Sequence, residues 1–170
     1  RVWAVVAAFG DNLAAAAAGL ASSLALPAQQ VAALRDLGDC LTYNAYGVAV
    51  EDAVVHPGEL FRLLLRHGDP FRFIAADAAF SAIDAARRRD LELAREVRPF
   101  RAAGGARVHV LPETPWASRV RGILINELAN AEPGRAHAVL TTSGTGGFTV
   151  SVRAPLVRPA GADALCRRFA

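Results

Sequence analysis

The sequence predicts an α/β fold in two parts joined by a long helix. Its first part is Ala-rich and helix-like, a helical pattern extends from Pro70 to Val97, and strand-like alternation begins after Gly104-Gly105. The 170 residues, of which 53% are apolar, are enough to bury a core in one domain or in two small ones. We expect the helical end of an α/β domain over residues 1–69, a connector helix over residues 70–99, and a small α/β domain with a β-hairpin over residues 100–170.

The first part of the chain is predicted to consist mainly of short helices. The apolar run from Val2 to Phe9 suits a buried strand or a buried helix, and its periodicity does not decide between them. A helix over residues 13–26 could be capped by Asp11 or Asn12, whose side-chain oxygens can accept backbone hydrogen bonds. Further helices are predicted over residues 27–37, where Gly38 would end the helix, and over residues 59–66, after a turn at Pro57-Gly58.

The connector is predicted to be one continuous helix. Apolar residues recur near helical spacing over residues 70–97, and the second half of this stretch is strongly charged. The three arginines at positions 87–89 lie among acidic residues such as Asp84 and Asp90. Mixed charge of this kind indicates a solvated helix face rather than a nucleic-acid footprint.

The last part of the chain changes to a pattern of strands. Strands are predicted over residues 107–111, 136–141 and 148–153, and helices over residues 118–130 and 161–169. Ser118 is a plausible N-cap, and the Gly-rich loop at residues 143–147 would close a β-hairpin. Because a strand and not a helix follows that loop, we interpret it as a turn rather than a phosphate cradle.

Composition excludes several classes of protein. The net charge is +3 without a dense basic tract, and the four histidines show no metal-ligand spacing. Cys40 and Cys166 are far apart, so neither a disulfide framework nor a structural zinc site is expected, and a reducing cytoplasm fits. The first apolar run is too short to span a bilayer. We therefore expect a soluble cytoplasmic protein without a membrane partner.

The final third of the chain carries a family resemblance. Residues 136–140, 148–155 and 162–165, with their strand, strand and helix order, resemble the C-terminal domain (DHHA1) of the DHH-type phosphoesterases, which include RecJ-like exonucleases. The Ser-x-Arg after the hairpin is typical of that domain. The resemblance implies that Ser151 and Arg153 bind substrate, namely single-stranded or short nucleic acid or a related small nucleotide.

The start of the chain is similar to the segment that carries the last catalytic aspartate of the same family. Residues 5–11 form an apolar element that ends in Gly and Asp, which implies Asp11 as one ligand of a Mn²⁺ or Mg²⁺ pair. The Asp-His-His motif that names the family does not occur. The resemblance therefore implies an internal piece of a longer hydrolase, which we expect to be catalytically inactive by itself.

Other interpretations stay open at this point. Asp11 could be a helix cap, Arg153 a surface arginine and Ser151 a solvent-side strand residue. The aromatic cluster at residues 43–47 could stack bases or pack its two tyrosines into the fold. At the level of function, the alternatives are a non-catalytic nucleic-acid-binding module and, with less support, an acyltransferase-type α/β enzyme.

Overall fold

The computed structural model describes residues 1–142 and 146–169, and it confirms the α/β class. The chain divides into two compact units, Arg1–Arg89 and Asp90–Ala170. The division falls inside the segment predicted as the connector. Positions 143–145 of the predicted Gly-rich loop lie outside the described residues.

Helices build the first unit. They are α1 (Val2–Gly10), α2 (Ala14–Ser23), α3 (Ala28–Ala45), α4 (Pro57–His67), α5 (Pro70–Ala76) and most of α6 (Ala78–Glu96), with a short 3₁₀ turn at Val50–Asp52. The apolar run at the start of the chain is thus a helix, not a strand. The core contains Val5, Leu34, Leu37, Tyr43 and Phe73, all of which are fully buried.

Helix α3 does not end at Gly38 as predicted. Gly38 lies in the middle of α3, where the helix crosses α1 at close range. A Cβ at this position would lie 2.5 Å from the carbonyl oxygen of Val6 and 2.9 Å from the nitrogen of Gly10. The contact between the two helices therefore explains the glycine, and it outweighs the roughly 1 kcal/mol by which glycine weakens a helix.

The predicted single helix over residues 70–97 is in fact two helices, α5 and α6. They are separated by Asp77, whose backbone is extended at φ −103° and ψ 124°. Its Oδ1 accepts a hydrogen bond from the backbone nitrogen of Ala79 at 2.9 Å, and its Oδ2 lies 3.0 Å from His67 Nε2. The break was missed because an N-capping aspartate does not disturb the helical spacing of the apolar residues around it.

A four-stranded sheet organises the second unit. Its strands are β1 (Arg101–Ala103), β2 (Ala106–Leu111), β3 (Ala136–Thr142) and β4 (Phe148–Arg153), in the order β1-β2-β3-β4. Strands β2 and β3 are parallel, and the outer pairs are antiparallel. The predicted hairpin of β3 and β4 is confirmed, whereas β1 was not predicted.

Helix α7 (Pro115–Ala131) connects the two parallel strands, and α8 (Ala162–Arg167) follows the sheet. The N-cap of α7 is Thr114, so the prediction of Ser118 as the cap is wrong, and Ser118 is buried inside the helix. The buried side of α7 packs on the sheet face that carries His137, Val139 and Thr141 of β3. This face also holds the predicted site residues of β4.

Candidate functional site

Strand β4 places Ser151 and Arg153 on one face of the sheet, as their spacing of two residues requires. They lie opposite Val139 and His137 of β3, respectively, and both are half-buried. Arg153 Nε donates a hydrogen bond to Asn126 Oδ1 of α7 at 3.0 Å, and a terminal nitrogen donates to the carbonyl oxygen of Val152 at 3.1 Å. The guanidinium is therefore held in a defined orientation by neutral groups.

The absence of a carboxylate at Arg153 distinguishes it from most buried or half-buried arginines of the chain. Carboxylates lie within ion-pair distance of Arg87, Arg107, Arg119 and Arg135. Within residues 1–142 and 146–169, Arg153 forms no such pair. A partly buried guanidinium whose charge is not compensated by a carboxylate is suited to bind an anion.

Asp11 lies in the first unit, whereas the residues of β4 belong to the second. It follows the C-terminus of α1, is exposed, and its backbone nitrogen donates to the carbonyl oxygen of Ala7 at 3.0 Å. It does not cap α2, whose N-cap position is Leu13. The capping interpretation of Asp11 is therefore wrong. Asp11 is one of the residues that line a pocket of about 280 Å³ between α1 and α3.

The residues around Asp11 do not fit a metal pair. No group of three or more His, Cys, Asp or Glu side chains that could hold a metal ion occurs in the part of the chain that the structure describes. A dinuclear site needs several such ligands close together. Asp11 can supply one of them at most.

A buried polar cluster on α6 was not predicted. Arg87 is buried and donates to Asp84 Oδ1 at 2.9 Å. The expected solvated face is therefore wrong for Arg87, whereas Arg88 and Arg89 are exposed as expected. Burial alone would raise the pKa of the Asp84 carboxyl, but its hydrogen bonds with Arg87 and Arg88 outweigh burial and keep that pKa below its ordinary value. The spacing of three residues between Asp84 and Arg87 is the sequence signal that indicates this pair.

The thiol of Cys40 faces the same cluster. Its Sγ donates to Asp84 Oδ1 at 3.7 Å, and burial raises the pKa of the thiol to about 12. At neutral pH the thiol is therefore protonated, and it is a poor nucleophile. Cys40 and Cys166 are both free.

The aromatic cluster at residues 43–47 divides between the core and the surface. Tyr43 is fully buried, whereas Tyr46 is exposed. Asn44 uses both ends of its amide to hold the loop before α4: Nδ2 donates to the Val55 carbonyl oxygen at 2.8 Å, and the Val55 nitrogen donates to Oδ1 at 3.0 Å. The packing interpretation therefore holds for Tyr43, which has no exposed face on which a base could stack.

Comparison with known proteins adds no assignment. No family model, no curated protein and no solved structure matches the chain. Among the described residues, no helix combines the length and apolar character needed to cross a membrane.

Proposed function

We propose that the chain is part of a DHH-type phosphoesterase that hydrolyses phosphodiester bonds in single-stranded or short nucleic acids, or in a related small nucleotide. The proposal starts from the resemblance of the last third of the sequence to the DHHA1 domain. The structural observation that supports it is the arrangement of Arg153, a half-buried guanidinium that the Asn126 amide holds and that has no carboxylate partner among the described residues. In this proposal, Arg153 binds a phosphate of the substrate and Ser151 adds a hydroxyl donor.

The metal ions of such an enzyme, Mn²⁺ or Mg²⁺, would neutralise phosphate charge and activate water. Because the described residues do not fit a metal pair, we assign no catalytic step to this chain. Asp11 contributes one ligand, and the other ligands come from outside these 170 residues. Both cysteines are free thiols, which is consistent with the cytoplasmic location we propose.

The proposal can be tested by binding of a fluorescent single-stranded oligonucleotide to the 170-residue chain, measured by anisotropy at several salt concentrations. We expect saturable, salt-dependent binding that Arg153→Gln weakens about tenfold, because one charge-assisted phosphate contact is lost. Arg72→Gln removes the same charge from an exposed position on α5 and is the matched control, with an expected change below about twofold.

Two results would contradict the proposal. Equal weakening by the two substitutions would indicate a general charge effect, and hydrolysis by the 170 residues with Mn²⁺ would contradict the assignment of the other ligands to residues outside the chain.

Replacing Asn126 by Ala keeps every charge and removes only the group that orients Arg153. We expect it to weaken binding less than Arg153→Gln but more than Arg72→Gln.

A non-catalytic nucleic-acid-binding module is the second candidate. The observation that favours it is that the described residues include a half-buried arginine oriented by an amide, Arg153, but no group of three or more metal-ligating side chains. The two candidates differ in one measurement on the full-length parent protein. Metal-dependent release of nucleotides supports the phosphoesterase, whereas oligonucleotide binding without release at any concentration of Mn²⁺ or Mg²⁺ supports the binding module.

A further inference from the structure

A second candidate site lies wholly within the second unit, between the C-terminal end of α6, helix α7 and strand β2. It is a pocket of about 210 Å³ whose wall is mostly aliphatic and includes Leu124 and Leu128. His109 of β2 lines it, together with the charged residues Arg95 and Glu127. Neither Ser151 nor Arg153 is part of this pocket, so an inference from it is independent of the proposed function.

Among the described residues, the imidazole of His109 has no hydrogen-bond partner, although the residue is 95% buried. Its Nδ1 is shielded from solvent and has no partner, and the ring forms no other hydrogen bond within the described ranges. Leaving a buried polar group without a hydrogen-bond partner destabilises the folded protein. A ligand in the pocket can supply the missing hydrogen bond to this ring. It can do so at Nε2, because Nδ1 is shielded.

The two charged residues that are described in the wall of the pocket compensate each other. Arg95 donates to both carboxylate oxygens of Glu127, at 2.9 and 3.1 Å. Burial lowers the pKa of His109, helped by the nearby His137 and Arg107, so its ring is neutral at pH 7. An ionic ligand would lose its hydration among aliphatic side chains and find no free counter-charge, whereas a neutral ligand avoids this cost.

We propose that this pocket binds a small neutral molecule with an apolar body and one hydroxyl group, of the phenol class. The body contacts the leucines of α7, and the hydroxyl forms a hydrogen bond with His109 Nε2. A hydroxyl both donates and accepts hydrogen bonds, so it matches either neutral tautomer of the ring.

The test uses phenol and toluene as probes of the 170-residue chain, with the imidazole signals followed by NMR. The two probes have nearly the same shape and differ in the hydroxyl. We expect a saturable shift of the His109 signals with phenol, and toluene to bind about fivefold more weakly because it makes no hydrogen bond. Equal affinities, or the absence of a saturable shift at His109 with millimolar phenol, would overturn the proposal.

Two substitutions separate the hydrogen bond from the cavity. His109→Phe keeps a ring of similar size and should remove the preference for phenol while toluene still binds. Ala131→Leu fills part of the pocket and should weaken both probes. If His109→Phe does not fold, the ratio of the two affinities in the unmodified chain still decides the question. A preference that persists in folded His109→Phe would also overturn the proposal.

Discussion

The two units of the molecule differ in the kind of interaction that their interiors depend on. The first unit packs helices at close range, and its tightest point is Gly38 against the backbone of α1. Both units bury some polar side chains, but the second buries more of them, among them Asp90, His109 and His137. This contrast teaches that the first unit should be sensitive to side-chain volume, and the second to charge and protonation. Each unit contains one tryptophan, Trp3 or Trp116, which allows the two to be followed separately.

The largest effect is expected from the buried ion pair of the second unit. Arg119 Nε and a terminal nitrogen donate to Asp90 Oδ2 at 2.9 and 2.6 Å, and Asp90 is only 1% exposed. Arg119→Met keeps much of the side-chain volume and removes the positive charge that pairs with the buried Asp90 carboxylate. We expect a loss of about 3–5 kcal/mol in the free energy of unfolding, measured with urea and Trp116 fluorescence.

The matched control for this substitution is Arg167→Met. Arg167 pairs with Asp163 at 3.3 Å, but both side chains are largely exposed, so the expected loss is below about 1 kcal/mol. A second variant that combines Arg119→Met with Asp90→Asn removes the uncompensated charge and should recover part of the stability. Similar small losses of stability for Arg119→Met and Arg167→Met would contradict the conclusion that the second unit depends on its buried ion pair.

The sequence predicted the elements better than the contacts between them. Alternation was enough to predict β2, and the Gly-rich loop between two strand-like stretches was enough to predict β3 and β4, because these signals are local in the sequence. Gly38 was misinterpreted as a helix end, since a glycine in a helix has the same local signature whether it ends the helix or admits a neighbour. Asp90 was assigned to solvent because its partner Arg119 is 29 positions away, and no local pattern reveals a pairing over that distance.

For the predicted site, too, the sequence indicated local positions but not the contacts between distant residues. The positions of Ser151 and Arg153 on one sheet face followed from the period of a strand. The identity of the group that orients Arg153 did not, because Asn126 is 27 residues away on α7. Asp11 was expected to be a cap or a metal ligand. The capping alternative depended on where α2 begins, and helix ends are the least certain part of a sequence-based prediction.

The next-largest loss of stability is expected from an increase in side-chain volume in the first unit. Gly38→Ala places a methyl group 2.5 Å from the Val6 carbonyl oxygen, a backbone atom that cannot move aside without shifting α1. We expect a loss of about 1–3 kcal/mol in the free energy of unfolding, measured with Trp3 fluorescence in urea. Gly19→Ala is the control, because no atom of the described part of the chain lies within 4 Å of a Cβ at that position in α2. Gly19→Ala should stabilise the unit by about 0.5–1 kcal/mol. A loss of stability in this variant would contradict the open space that the structure shows around Gly19.

The smallest expected difference between the two units is the pH at which each begins to lose stability on acidification. The pKa of His109 is lowered by burial and by the nearby His137 and Arg107, so the unfolded state binds more protons than the folded state below its ordinary pKa of 6.5. The stability that depends on neutral His109 is therefore complete above pH 6.5 and is lost as the pH falls below it. In the first unit, the lowered pKa of Asp84 gives stability that is present above its ordinary pKa of 3.8 and lost only below it.

The two units should therefore begin to lose stability at different pH values on acidification, the second unit first. Trp3→Phe and Trp116→Phe each leave one reporter, and fluorescence between pH 8 and pH 3 in a fixed, moderate urea concentration should show the Trp116 transition at the higher pH. His109→Phe should move that transition to lower pH and leave the Trp3 transition in place. Coincident transitions in both reporter variants would show that protonation of the second unit is not what limits its stability, and the contrast between the two interiors would then rest on volume and ion pairing alone.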